Sequence, residues 1–225
     1  MLFRSLQIQN NLMDAAHASN VERFVFLGSS CIYPRECPQP IKEEYLLTGP
    51  LEKTNSAYAI AKIAGIELIR SYRKQYGRHW ISLMPTNCYG PNDNFDVLRA
   101  HVLPALITKF VEAVDENKDS VSIWGTGKAR REFIYSSDLA KATIFAMNKY
   151  DGDSHLNVGT GTDSTIRELA ETLAKIVEFT GELVWDSSKP DGTPRKVLDV
   201  SKLKNLGWLP TVSLENGIQI GRAHV

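Results

Sequence analysis

An α/β fold organised around a mostly parallel sheet is the class the sequence predicts, and two observations predict it. Apolar runs of strand length alternate along the chain with longer segments of helical periodicity. The run RFVFLGSS (23–30) stays apolar until it turns into small polar residues, as a strand covered on both faces does.

The elements follow in order. Residues 6–19 (LQIQNNLMDAAHAS) carry Leu6, Leu12, Met13 and Ala16 at helical spacing and predict a helix. RFVFLGSS is the first strand. Residues 31–55 hold Pro34, Pro38, Pro40 and Pro50 and predict a long loop, a type of segment that is often functional. Residues 56–76 predict a helix that Gly77 ends. WISLMPTNCYGP (80–91) predicts a strand that stops at Pro85 and becomes loop. A helix over 101–117, strands at VSIW (121–124) and REFIYS (131–136), a helix over 137–149 and a strand at HLNVG (155–159) come next. TIRELAETLAKIVEF (165–179) predicts a helix opened by a Thr165…Glu168 capping box, and ELVW (182–185) a last short strand.

Composition bounds the function. The chain has 225 residues, 43% of them hydrophobic, which suffices for one domain with a proper core or two small ones. Its 26 acidic and 26 basic side chains cancel, so no global basic field favours nucleic acid or an anionic membrane. No apolar run approaches the roughly 20 residues of a membrane helix, and no apolar h-region opens the chain. The three cysteines, Cys31, Cys37 and Cys88, lack CxxC spacing. Reduced thiols in a cytoplasmic protein without a metal site are therefore expected. The ends MLFRS and IGRAHV read as translated sequencing-adapter DNA, so residues 1–5 and 220–225 are expected to be non-native.

The chemistry centres on SAYAIAK (56–62). Tyr58 and Lys62, four residues apart, share one helix face. By itself such a pair reads most simply as a solvated pair beside an apolar stripe. A second feature changes the reading: GSSC (28–31) follows a strand whose C-terminal end is where open α/β sheets place ligands. Free tyrosine, with a pKa near 10, is a poor acid–base catalyst at neutral pH, and a nearby ammonium is expected to lower it. A serine hydroxyl at that strand end can hydrogen-bond a reacting carbonyl oxygen. GTGTDS (159–164) is the nearest candidate for a phosphate-binding turn. It lacks a third glycine and a following ribose-binding acid, and a tight strand-to-helix turn explains it better.

Seven blocks carry a family resemblance: GSSCIYP, NSAYAIAKIAG, PTNCYGPNDNF, HVLPALI, WGTGKARREF, NVGTGTDSTIREL and KPDGTPRKVLDV. Together, over about residues 10–219, they resemble the extended short-chain dehydrogenase/reductases that act as nucleotide-sugar epimerase/reductases. The resemblance implies a Rossmann-like, doubly wound parallel sheet over 6–88, with 131–149 returning to it and its first βαβ units missing. It implies a smaller, interleaved α/β substrate domain over 89–219. The activity implied is NADPH-dependent 3,5-epimerisation and 4-reduction of GDP-4-keto-6-deoxy-D-mannose to GDP-L-fucose, by a homodimer.

Carried over by position, Ser29, Tyr58 and Lys62 match the reductase triad, and Cys31 and His101 the epimerisation pair. Alone, Cys31 reads as a buried inert thiol and His101 as a cap or surface group. Leu27, Gly28, Ser29 and Ser30, with Pro85, Thr86, Asn87 and Cys88, match loops that line the nicotinamide, to which Tyr58, Lys62 and His101 also belong. Cys37 and Cys88 are otherwise expected to be structural. Lys109, Trp124, Arg131 and Asp191 match positions that contact the GDP-sugar. Trp124 reads equally as a core residue, and Arg130 competes with Arg131. The family's Gly-rich turn and first strands have no counterpart in the sequence, so this polypeptide is expected to bind NADPH and turn over poorly.

Overall fold

The computed structural model describes residues 2–96 and 100–222. In chain order these form α1 (Leu2–Ala18), β1 (Val25–Leu27), α2 (Ser56–Tyr76), β2 (Ile81–Pro85), β3 (Asn87–Tyr89), α3 (Val102–Asp115), β4 (Ser120–Trp124), β5 (Arg130–Arg131) and β6 (Phe133–Tyr135). α4 (Ser136–Lys149), β7 (Leu156–Val158), β8 (Ser164–Thr165), α5 (Ile166–Val177), β9 (Glu182–Asp186), β10 (Arg195–Lys196), α6 (Ser201–Asn205) and α7 (Leu214–Arg222) follow. Two 3-10 turns, Ser30–Ile32 and Glu43–Tyr45, punctuate the long loop. The architecture is α/β, as the alternation of elements predicts.

The chain divides into two units. The first comprises residues 1–86, 139–161 and 198–209. Its sheet has the order β1-β2-β7, parallel throughout. β2 and β7 are the buried strands, while Leu27, at the C-terminal end of β1, is exposed. α1 and α2 pack together, and Met13, Phe26, Ile66, Ile69, Trp80 and Met84 form a core between the helices and the sheet. Met13 and Ala16 point inward as the spacing predicts, but Leu12 is exposed. α2 lies close on β1 because residue 65 is glycine: a Cβ there would stand 2.2 Å from the Phe26 ring. Gly77 ends α2 in the left-handed conformation (φ 65°), its N–H bonded to the Arg73 carbonyl.

The second unit comprises residues 87–138, 162–197 and 210–225. It contains two parallel pairs, β3–β6 and β4–β9, and a small sheet in the order β10-β5-β8 in which β5 and β8 run antiparallel. α3, α5 and α7 cover its core, built on Leu103, Phe110, Ile123, Leu169, Leu173 and Ile218. The capping box of α5 is present in both directions: the Thr165 hydroxyl accepts from the Glu168 N–H, and Glu168 accepts from the Thr165 N–H.

Two expectations need correction. The segment 80–91 does not become loop at Pro85; it resumes at Asn87 as β3, paired to β6 in a different sheet. Proline lacks an N–H, so it can close one ladder without preventing the next residues from entering another. REFIYS, likewise, is two strands: Arg130–Arg131 and Phe133–Tyr135 belong to separate sheets, with a buried Glu132 between them. GTGTDS ends in the short strand β8 ahead of α5, with Gly161 at φ 73°, a turn into a helix as expected.

Candidate functional site

In the first unit the polypeptide leaves the sheet at Leu27 and passes through Gly28 into the turn Ser30–Ile32. Ser29 caps that turn: its Oγ accepts from the Cys31 N–H at 3.2 Å. The same hydroxyl and the Cys31 thiol both lie close enough to the Tyr58 phenol to act on its titration, the hydroxyl lowering its pKa and the thiol raising it. Ser29, Cys31 and Tyr58, predicted from separate stretches, are thus brought together. Each is partly buried.

Lys62, one turn along α2 from Tyr58, donates from Nζ to the Leu27 carbonyl at 2.8 Å. Its ammonium lies 5.7 Å from the centroid of the Tyr58 ring and 5.0 Å from that of Phe26. The lysine is therefore held at the C-terminal edge of β1, beside the phenol. Gly28, Ser30 and Thr86 are buried around this edge, and Pro85 is partly so.

The electrostatics correct one expectation. The Tyr58 pKa is raised, first by burial and then by the Cys31 thiol; the Ser29 hydroxyl pulls in the opposite direction without overcoming them. The Lys62 pKa is lowered by burial. Both shifts favour the uncharged form, so in this arrangement the phenol is a proton donor and not a ready-made phenolate. Lys62, donating to the Leu27 carbonyl, is not among the causes of the Tyr58 shift.

The second unit holds the other predicted residues. His101 occupies the N-cap position of α3, exposed, and its side chain makes no capping hydrogen bond. That leaves the imidazole to other work. Cys88 is an exposed position of β3, not a core thiol. Cys37, in the first unit, packs partly buried against the core, as expected. Asn87 donates from Nδ2 to the Glu132 carbonyl at 2.7 Å.

Lys109, Trp124, Arg131 and Asp191 form a connected group. Trp124, at the end of β4, is 65% exposed, which removes the core reading. Lys109 Nζ stands 5.7 Å from its ring centroid and Lys189 Nζ 5.6 Å, so two cations address one indole. Lys109 also donates to the Ser122 carbonyl at 3.0 Å. Next to Trp124, Gly125 (φ 86°) lets Asp191 approach: a Cβ on residue 125 would stand 2.3 Å from Asp191 Oδ1. Asp191 accepts from the Thr126 N–H and hydroxyl, both at 2.7 Å, and these bonds hold its carboxyl below the usual range.

Arg131 donates to the carbonyls of Arg130 (2.8 Å), Thr193 (2.5 Å) and Asp191 (3.3 Å). Burial lowers its pKa, with the Asp191 charge working against that. Arg130 is engaged instead with Asp163 at 3.1 Å, which separates the two adjacent arginines. Lys189, Gly125 and Thr126 belong to this group and were not singled out from the sequence. Their signal was present in WGTGK and KPDG, where glycine permits the approach of a loop carrying an acid.

Among the described residues no cluster of His, Cys, Asp and Glu is arranged to hold a metal ion. No described helix is long and apolar enough to cross a membrane.

Residues 2–159 match the model of the NAD dependent epimerase/dehydratase family. The chain is 55% identical over 214 residues to a putative GDP-L-fucose synthase 2 of Arabidopsis thaliana, covering 95% of this chain and 65% of that protein. It is 51% identical over 226 residues to the GDP-L-fucose synthase of Escherichia coli K12, covering 96% and 70%. The chain thus spans about two thirds of the length of the curated relatives it matches. Among solved structures, the GDP-mannoheptose C4 reductase of Campylobacter jejuni with NADP bound superposes with a TM-score of 0.89 at 40% identity, over 97% of this chain and 72% of that one. With its parallel Rossmann-type sheet, the chain belongs to the NAD dependent epimerase/dehydratase family.

Proposed function

We propose that this chain is the larger part of a GDP-L-fucose synthase, the NADPH-dependent enzyme that epimerises GDP-4-keto-6-deoxy-D-mannose at C3 and C5 and reduces it at C4. The observation that carries the reading is the turn of Ser29 and Cys31 beside the Tyr58 phenol, with Lys62 one helical turn away fixed to the Leu27 carbonyl. A reductase needs a neutral donor beside a carbonyl, and burial keeps Tyr58 neutral. An epimerase needs a group that removes an acidic α-proton, and a thiol beside the phenol suits a ketone whose oxygen Tyr58 holds.

The donor set fits a nicotinamide riboside: a half-buried ammonium at a strand end, a phenol and a serine hydroxyl on one edge of a parallel sheet. Lys62 would hold the ribose hydroxyls, and Leu27 to Ser30 with Pro85 to Cys88 would line the ring. When bound, NADPH supplies the hydride. Ser29 then orients the C4 oxygen and Tyr58 delivers its proton there. Cys31 and His101 exchange the protons at C3 and C5. Lys109, Trp124, Arg131 and Asp191 bind the GDP-sugar: Arg131 and the lysines suit a diphosphate, and Trp124 offers an open face. The exposed Ile8 and Leu12 of α1 and Ile60 of α2 support a homodimer through these helices, and net neutrality supports a cytoplasmic enzyme without nucleic-acid or membrane partners.

The test uses a chain extended to the length of its relatives, given the keto sugar and NADPH. Formation of GDP-L-fucose is expected. Cys31→Ser is expected to suppress deuterium wash-in at C3 and C5 while hydride transfer persists. A second reading, a C4 reductase without epimerisation, is favoured by the likeness to the Campylobacter reductase. Wash-in that is absent in the wild type, or unchanged in Cys31→Ser, selects it.

A further inference from the structure

We propose that Tyr33 is a positioning residue for the reacting groups: its hydroxyl, fixed by His155 and Asn157, sets the turn on which Ser29 and Cys31 stand. The inference deepens the function proposed above, and its kinetic arm rests on that reading.

The turn supports itself poorly. Ser29 caps its front and Tyr33 closes its back, and its own hydrogen bonds are long, 3.2 Å from the Ile32 N–H to the Ser29 carbonyl and 3.5 Å from the Tyr33 N–H to the Ser30 carbonyl. Tyr33, by contrast, is anchored. Its ring is 3% exposed, and its hydroxyl donates to Asn157 Oδ1 at 2.5 Å. With that proton committed, the hydroxyl accepts from His155 Nε2 at 3.0 Å, which fixes the imidazole tautomer. Asn157 is oriented in turn, because its amide donates to the Ile41 and Asp199 carbonyls at 2.9 and 3.1 Å. Its backbone N–H donates to the buried Glu43 carboxylate at 3.1 Å, and Lys202 lies 3.3 Å from that carboxylate.

These residues tie the loop after β1 to β7 at two points, Tyr33 and the segment around Ile41–Glu43. Burying a histidine, an asparagine, a glutamate and a phenol is costly unless they are paired, and such networks specify one arrangement. His155 Nδ1 is buried without a hydrogen-bond partner, so the cluster is held at a cost in stability whose return is placement. Ser29 must stay within hydrogen-bond reach of Tyr58, and a displacement of about 1 Å suffices to lose that.

Two measurements test this. The first needs no turnover: alkylation of Cys31 by a neutral reagent, followed by peptide mass spectrometry with Cys88 as the internal reference. Tyr33→Phe keeps the ring and removes the hydroxyl; the Cys31 rate is expected to rise while the Cys88 rate stays. His155→Gln, which keeps an N–H donor, is expected to behave as wild type, and His155→Leu as Tyr33→Phe. The second, in the chain extended to its relatives' length, is kinetic. In Tyr33→Phe, kcat is expected to fall about 10- to 100-fold with KM for the nucleotide sugar within about 3-fold. Unchanged Cys31 reactivity and kcat in Tyr33→Phe would overturn the proposal, as would His155→Gln behaving like His155→Leu. If the wild type consumes no keto sugar, the functional reading falls while the alkylation result still decides this one. If Tyr33→Phe does not fold, the two His155 variants carry the same comparison.

Discussion

The candidate cluster around Tyr58 in the first unit and that around Asp191 in the second hold their polar groups differently. In the first, burial pushes Tyr58 up and Lys62 down, so both groups move toward their neutral forms. In the second, two hydrogen bonds from Thr126 hold Asp191 ionised, and carbonyls surround an Arg131 whose charge no pH near neutrality removes. Groups that transfer protons need accessible neutral and charged states. Groups that recognise a charged ligand need fixed charge in fixed geometry. The contrast supports the proposed division, with chemistry at the Tyr58 cluster and recognition at the Trp124–Asp191 cluster.

The sharpest way to break that division is Tyr58→Phe. The NADPH-dependent rate of the extended chain is expected to fall about 10³-fold, the loss of a positioned acid, with nucleotide-sugar affinity unchanged. A comparable loss of affinity would mean that the first cluster also recognises.

Next in size is a pH effect confined to the first unit. His155 is buried and its pKa is lowered to about 4, chiefly by desolvation, with Arg70 and Lys202 adding repulsion. The unfolded chain therefore binds a proton near pH 6.5 that the folded chain refuses. Stability contributed by neutral His155 is full above about pH 6.5 and is lost as pH falls toward about 4, some 3 kcal/mol in all. Urea midpoints across that range should show the loss, and His155→Gln should flatten it.

Gly125→Ala probes the second unit. Position 125 has φ 86° and no room for a Cβ beside Asp191, so the variant is expected to lose about 1–3 kcal/mol, read by thermal unfolding. Nucleotide-sugar binding should weaken with it. The smallest effect belongs to Trp124→Ala. Stability should stay within about 0.5 kcal/mol, because the ring is exposed, while loss of its stacking face weakens nucleotide-sugar binding, measured by calorimetry. A tryptophan whose removal unfolds the unit would instead be structural.

The family blocks located Ser29, Tyr58 and Lys62 in sequence because each sits at a feature with a local signature: a strand end, and two positions one helical turn apart. Residues whose role depends on a distant partner left no such signature. Tyr33 reads as one more loop aromatic until β7 supplies His155 and Asn157 more than a hundred residues later. Lys189 is an exposed loop lysine until it stands over Trp124. The Asn87–Tyr89 strand was missed because proline at 85 predicts an end, and only pairing with β6 makes those residues a strand.

The sequence by itself determined the alternation of the longer helices and strands, the α5 capping box, the Gly77 stop and the Tyr58–Lys62 face, since periodicity, caps and steric preference act within a few residues. Tertiary structure alone decided the direction of the Tyr58 shift, the division of Arg130 from Arg131 and the anchoring of Tyr33. Those outcomes depend on desolvation and on partners distant in sequence, and neither exists until the chain has folded.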